Sequence, residues 1–158
     1  KRQPRNSTSC SIVVQGVKPG EKAELTTMWT MLGYPPTGIA VPLWVKDADR
    51  LLPPMVCWDK ACVAAPLSDW SLRLSNNVFC YNQGMGTNRY LNWEKLYNME
   101  NNGYMQQLVT VEAEVFRRTC LLLDSWRQQG SIDSQEMQKL YQDVEALFRK
   151  AYTPLMEQ

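Results

Sequence analysis

Residues 109–126, VTVEAEVFRRTCLLLDSW, repeat apolar side chains at the three- and four-residue spacing of an amphipathic α-helix. Gly130 follows as a helix-ending residue. A second apolar stripe begins after Asp133, a predicted N-cap with Glu136 as its capping-box partner. The two stripes consist of Val111, Val115, Phe116, Cys120, Leu122, Leu123 and Trp126, and of Met137, Leu140, Tyr141, Val144, Leu147, Phe148 and Tyr152.

These stripes predict two antiparallel helices joined by a short turn. Leu140, Val144 and Leu147 lie on one stripe at helical spacing, so we expect each to be buried against the helix at residues 109–126. A shorter helix is predicted at residues 91–99, with Gly103 as a left-handed cap near its end.

The region before the helices is predicted to contain β-strands. Residues 11–17 (SIVVQGV), 25–32 (LTTMWTML) and 38–45 (GIAVPLWV) are rich in β-branched and large apolar residues and are bounded by Gly and Pro. Pro42 lies inside the third segment, which predicts an edge position, a bulge or an early end of that strand.

Together these elements predict one α+β domain portion. Residues 1–45 supply strands, residues 46–89 are irregular apart from short helical turns near 47–52 and 69–74, and residues 90–158 are helical. Three strands leave open edges and an uncovered face. A long irregular segment is typical either of a functional region or of a surface that packs on something else, and the second interpretation agrees with the open sheet. We therefore expect the chain to be part of a larger layered fold.

Composition excludes several classes of function. The 158 residues contain 17 Lys and Arg, 16 Asp and Glu and no His. The charges form no basic block, which disfavours nucleic acid as a partner, and no apolar run approaches the ~18 residues of a membrane span. Without His the chain alone cannot build a Ser-His-Asp or Cys-His site. The acidic residues are dispersed, so we predict neither a metal nor a cofactor.

Five cysteines occur, with no Cys-x-x-Cys pair, and buried apolar thiols are the favoured interpretation. A disulfide between Cys57 and Cys62 is an alternative in an oxidising compartment. Cys10 precedes the first strand, but no residue in the chain is placed to activate it as a nucleophile.

Two groups of residues are candidates for ligand binding. Arg2 and Arg5, followed by a polar run that includes Thr8, either hold a carboxylate or oxyanion at the mouth of the sheet or form a solvated terminal segment. Trp29 is one of many large rings in the first two thirds of the chain. Such rings either pack in the core or form the wall of a pocket for an apolar acyl group.

The ordered segments CSIVVQGVKPGE, LTTMWTMLGYPP, GIAVPLWV, APLSDWSLRL and RYLNWEKLYN, ahead of the terminal hairpin, resemble a known family. They are similar to the C-terminal half of N-terminal-nucleophile (Ntn) hydrolases, in particular the bacterial linear amide C–N hydrolases related to acyl-coenzyme A:6-aminopenicillanic acid acyltransferase. The resemblance covers nearly the whole chain.

The resemblance implies a four-layered αββα sandwich, autocatalytic processing and attack by an N-terminal Cys on a linear amide. The Cys would lie on an N-terminal fragment of the same precursor, upstream of Lys1, and that fragment is the expected partner. An Arg just before a strand lines the active site in the related hydrolases, and Arg5 fits this position best, with Arg2 second. A small-molecule amide is the implied substrate, and a periplasmic or secreted location is the expectation.

A non-catalytic interaction domain is the alternative interpretation. In that case the terminal helical hairpin would bind a partner protein.

Overall fold

A computed structural model describes residues 10–57, 64–81 and 89–157 of the chain. These residues form an α+β fold with a three-stranded antiparallel sheet, a two-stranded hairpin and four α-helices within the described part. The predicted α+β class is therefore confirmed. None of the helices in this part of the chain is long and apolar enough to cross a membrane.

The three predicted strands are present, and each is shorter than its apolar segment. β1 (Cys10–Gln15), β2 (Thr27–Leu32) and β3 (Val41–Leu43) pair in the order β1-β2-β3. Pro42 of β3 lies opposite Trp29 of β2. Because proline has no N–H to donate to another strand, its place on the edge strand β3 agrees with the prediction.

β1 is an apolar strand with one open edge. Within the described residues it pairs with β2 alone. Ile12, Val13 and Val14 are 53%, 63% and 62% exposed, although such side chains are usually found inside folded proteins. Because neighbouring residues of a strand point to opposite faces, both faces of β1 are uncovered.

The prediction that residues 46–89 are irregular is wrong for their C-terminal part. α1 spans Pro66–Val78, far longer than the predicted turn at 69–74, and leads directly into a hairpin of β4 (Phe79–Tyr81) and β5 (Arg89–Leu91). Two of the buried positions of α1 are serines, so the spacing of apolar residues alone does not indicate a helix. The buried face of α1 consists of Leu67, Ser71, Leu74, Ser75 and Val78.

The short helix and Gly103 also differ from expectation. α2 covers only Trp93–Leu96, and Gly103 has a φ of −63°, which is not left-handed. Gly103 is instead the N-cap of the following helix, where a Cβ would meet the carbonyl oxygen of Leu96. The left-handed residue in this connection is Asn101, with a φ of 57°.

The predicted helical hairpin is confirmed. α3 spans Tyr104–Gln129 and α4 spans Ser134–Met156. Gly130 takes the left-handed conformation after α3, with a φ of 74°. Asp133 caps α4, and its Oδ1 accepts hydrogen bonds from the backbone N–H groups of Gln135 and Glu136 at 2.8 and 2.9 Å.

The reciprocal half of the predicted capping box is replaced by a contact between the helices. The Glu136 carboxylate accepts a hydrogen bond from Nε1 of Trp126 at 2.7 Å. Trp126 is fully buried, so its indole N–H needs a partner inside the protein. Glu136 therefore joins α4 to α3.

Leu140 and Val144 are buried as predicted, whereas two other predictions of burial are wrong. Cys120 is exposed. It directly follows Thr119 in α3, so its side chain points away from the face that contains the buried residues Val115, Thr119 and Leu123. Leu147 is half-buried, because it lines an open groove between α3 and α4.

We expect Leu140→Ala and Leu147→Ala to differ in their cost to stability. Truncation of the buried Leu140 leaves a cavity and should lower the free energy of unfolding by ~2–5 kcal/mol. Leu147 already borders solvent, so its truncation should cost less than about half as much. Urea unfolding of both variants measures the difference, and equal losses would contradict this assignment of burial.

Gly33→Ala should destabilise the fold more than Gly130→Ala. Both glycines have left-handed backbones, with φ of 84° and 74°, so alanine costs about 1–2 kcal/mol at either position. At Gly33 the new Cβ would also lie 2.5 Å from Oγ of buried Ser71, whereas at Gly130 no atom lies within 4 Å. Overpacking should add about 1–3 kcal/mol at Gly33 alone. Chemical unfolding of the two variants tests this, and similar losses would argue against the tight contact.

Candidate functional site

Of the four residues predicted to bind substrate, Trp29 lies in the described part of the chain. Arg2, Arg5 and Thr8 lie outside the described residues. Trp29 is at the centre of β2 and only 7% exposed.

The indole of Trp29 joins the sheet to α3. Its ring centroid lies 4.3 Å from that of Phe116, with the rings tilted by 40°. Its Nε1 donates a hydrogen bond to Oε1 of Gln15 at 3.2 Å, and Val13 lies directly opposite Trp29 in the neighbouring strand. The ring thus has one side on α3 and its polar edge on β1.

An open groove of about 500 Å³ lies beside Trp29, between β1 and α3. Alternate residues of β1 point toward it, in register with residues of β2 on the same face. The groove is mainly apolar. Its lining consists of Ser11, Val13, Gln15, Trp29, Met31, Ala40, Glu112 and Phe116.

Glu112 is the charged residue of this lining. Its Oε1 accepts a hydrogen bond from the backbone N–H of Ala40 at 2.9 Å. Among the residues that the structure describes, no Lys or Arg lies within salt-bridge distance of it. Burial raises the pKa of the Tyr152 hydroxyl, and the negative charge of Glu112 raises it further.

Sequence reasoning did not identify Glu112 or Phe116 as site residues. The available signal was their spacing, because residues four apart lie on the same face of a helix. Phe116 belongs to the predicted apolar stripe, and Glu112 precedes it by one turn. A carboxylate in that position is directed toward the apolar side of α3.

The cysteines do not form a catalytic group within the described residues. Cys10 and Cys120 are free and exposed, which corrects the expectation of buried thiols for these two. Cys57 is disulfide-bonded, as the predicted alternative allowed for this residue, and Cys62 lies outside the described residues. Where the structure describes the chain, no group of three or more His, Cys, Asp or Glu could hold a metal ion.

A second open groove lies between the helices of the hairpin. Its volume is about 520 Å³, and it is lined by apolar residues of both helices together with polar ones. The apolar members are Leu108, Val111, Leu147, Ala151, Pro154 and Leu155. This groove is the structural feature that bears on the alternative prediction of a partner-binding hairpin.

Comparison of the chain with protein-family models, curated proteins and solved structures found no match.

Glu114, two residues along α3 from Glu112, has a different environment. Arg117 donates two hydrogen bonds to its carboxylate at 2.7 and 2.8 Å, and Arg118 donates one at 2.7 Å. These bonds, with that of Arg117 first, lower the pKa of Glu114 from 4.5 to about 2. The negative charge of Glu114 is therefore balanced by arginines of α3, whereas Glu112 faces the groove and has no Lys or Arg within salt-bridge distance among the described residues.

We expect a pH-dependent difference in stability between the wild type and Glu114→Gln. Because the pKa of Glu114 is lower in the folded protein, its stabilising effect is present above about pH 4.5 and is lost as the pH falls toward 2. The melting temperature of the wild type should exceed that of the variant near neutral pH, and this gap should close between about pH 4.5 and 2. A gap that stays constant across this range would contradict the assigned pKa.

Proposed function

We propose that this chain is the C-terminal portion of an Ntn-type amidohydrolase that cleaves a linear amide. A partner fragment upstream would supply an N-terminal Cys, and the groove beside Trp29 would receive an apolar part of the substrate. The assembled protein would have the four-layered αββα arrangement implied by the family resemblance. The observation that carries this proposal is the open, apolar edge of β1.

An isolated strand of this kind is unfavourable in water. β1, CSIVVQ, contains no charge and no proline, the two features that commonly protect an edge strand from pairing. Its outer N–H and C=O groups have no strand partner among the described residues. A further strand from the partner fragment would pair with these groups and cover the side chains of Ile12, Val13 and Val14.

On the face of the sheet opposite Trp29, the uncovered surface lies at β1, where Ile12 is 53% exposed. Ile12 and Thr30 are directly opposite each other and point to the same face, away from Trp29. Thr30 is 5% exposed, and its hydroxyl makes no hydrogen bond with the described residues. A second sheet packed over Ile12 would bury apolar surface, which is the main favourable contribution to such an association.

The chemistry of the chain agrees with a nucleophile that lies elsewhere. No His is available as a general base. The thiol of Cys10 has no described hydrogen-bond partner that could activate it. In the proposed reaction the α-amino group of the upstream Cys acts as the base, and the sulfur of the same Cys attacks the amide carbonyl. The amine then leaves, and water hydrolyses the acyl-thioester. Arg5, with Arg2 second, is the proposed polar contact of the substrate.

The alternative proposal is a non-catalytic interaction domain that binds a partner through the hairpin. The groove along Leu108, Val111 and Leu147 favours this second function. The two proposals place the partner on different surfaces, one on β1 and the other on α3 and α4. They can therefore be separated by protection of individual side chains.

We expect Cys10 to be protected in the native assembly and Cys120 to remain reactive. Both thiols are free and exposed, so the pair provides an internal control for alkylation. The protein should be expressed with the upstream part of its reading frame, treated with iodoacetamide and mapped by peptide mass. Cys10 lies on β1, so a paired strand should slow its labelling roughly tenfold or more relative to Cys120.

Intact mass of the same preparation should show a second fragment that begins with Cys. Equal labelling of Cys10 and Cys120, with no such fragment, would refute the hydrolase proposal. Protection of the hairpin groove with an exposed Cys10 would favour the interaction domain instead.

A further inference from the structure

We propose that the groove between β1 and α3 binds an amphiphilic amine, with the ammonium group at Glu112 and the apolar part against Trp29, Phe116 and Met31. The identification of this amine as part of the substrate rests on the proposed function. Binding of the amine to the groove does not require catalysis. It specifies a class of ligand that carries both a positive charge and an apolar chain.

The charge of the groove favours a cation. Of the described residues that line it, only Glu112 is charged. Its Oε1 is held by the Ala40 N–H, and the carboxylate makes no other hydrogen bond with described residues. Beside apolar walls a charge is screened less than in bulk water, so a cation that reaches Glu112 is attracted more strongly. An anionic ligand would be repelled from the same groove.

The aromatic lining of the groove also favours a cation that carries an apolar chain. Trp29 and Phe116 lie with their ring centroids 4.3 Å apart, and both border the groove. The faces of aromatic rings attract cations, and Trp does so most strongly. The same rings, with Met31 and Val13, offer apolar surface to a hydrocarbon chain. One ligand that has both features is an alkylammonium ion.

β1 contributes two polar side chains to the lining, Ser11 and Gln15. Gln15 already accepts the indole N–H of Trp29 through its Oε1. This bond holds the side chain against the ring and leaves Glu112 as the strongest acceptor of the lining. For the proposed amidase, the groove favours an N-acyl amine with a basic group over an N-acyl amino acid, whose free carboxylate would meet Glu112.

Binding of octylammonium to the whole chain tests this proposal. The titration is followed by the ¹⁵N–¹H signal of the Trp29 indole, assigned with Trp29→Phe. We expect a saturable shift of this signal, and 1-octanol, which has the same chain without the charge, should bind roughly tenfold more weakly. In Glu112→Gln the Ala40 N–H keeps an acceptor, so the fold should be retained and octylammonium should bind about as weakly as octanol.

Glu114→Gln is the matched control, because it removes one carboxylate from the same helix but outside the groove between β1 and α3. It should leave octylammonium binding unchanged. Phe116→Leu is a second variant, which removes one ring and keeps an apolar side chain, and should weaken octylammonium binding severalfold. Equal binding of octylammonium and octanol, or unchanged octylammonium binding in Glu112→Gln, would overturn the proposal. Neither result would alter the labelling of Cys10, so failure here is separable from failure of the proposed function.

Discussion

Burial of the Trp126 indole links the two long helices to the sheet. Its ring packs edge-on against Trp44, with centroids 5.2 Å apart, and its N–H is satisfied by Glu136 of α4. Trp44 follows β3, donates to Oγ1 of Thr27 in β2 at 2.9 Å and stacks on Tyr141. A buried N–H without a partner costs about 1–3 kcal/mol, so these bonds select one placement of the hairpin relative to the sheet.

The same placement positions the wall of the groove. The hydroxyl of Tyr152 in α4 donates to the carbonyl oxygen of Thr37 at 2.9 Å, and Oγ1 of Thr37 donates to the carbonyl oxygen of Ser71 in α1 at 2.8 Å. α1 and α4 are thereby both fixed to the turn at residues 35–37. Ala40 lies just beyond this turn, and its N–H orients Glu112. The carboxylate is therefore held by the fold and is not a freely rotating surface group.

Local patterns predicted the elements that are rich in apolar residues. The hairpin follows from helical periodicity, and the three strands follow from β-branched and large apolar residues bounded by Gly and Pro, whereas α1 was missed because Ser71 and Ser75 occupy its buried face. The role of Gly103 depends on the approach of Leu96, which no local rule contains. The groove itself requires β1 and α3 to meet across about a hundred residues of chain. Trp29 could be named as a candidate from its type, but Glu112 acquires significance only from that long-range contact.

β1 has an open edge, and its residues also line the groove beside Glu112. Assembly at that edge and ligand binding in the groove are therefore connected. A strand added to β1 would place side chains about 4.5–5.5 Å from Val13 on the groove side. The wall that β1 now forms alone would become higher, and water would be excluded from the space next to Trp29. A lower local dielectric strengthens the attraction between Glu112 and a cation. Pairing at β1 would thus extend the sheet and, through the same contacts, raise the affinity of the groove for a cationic ligand.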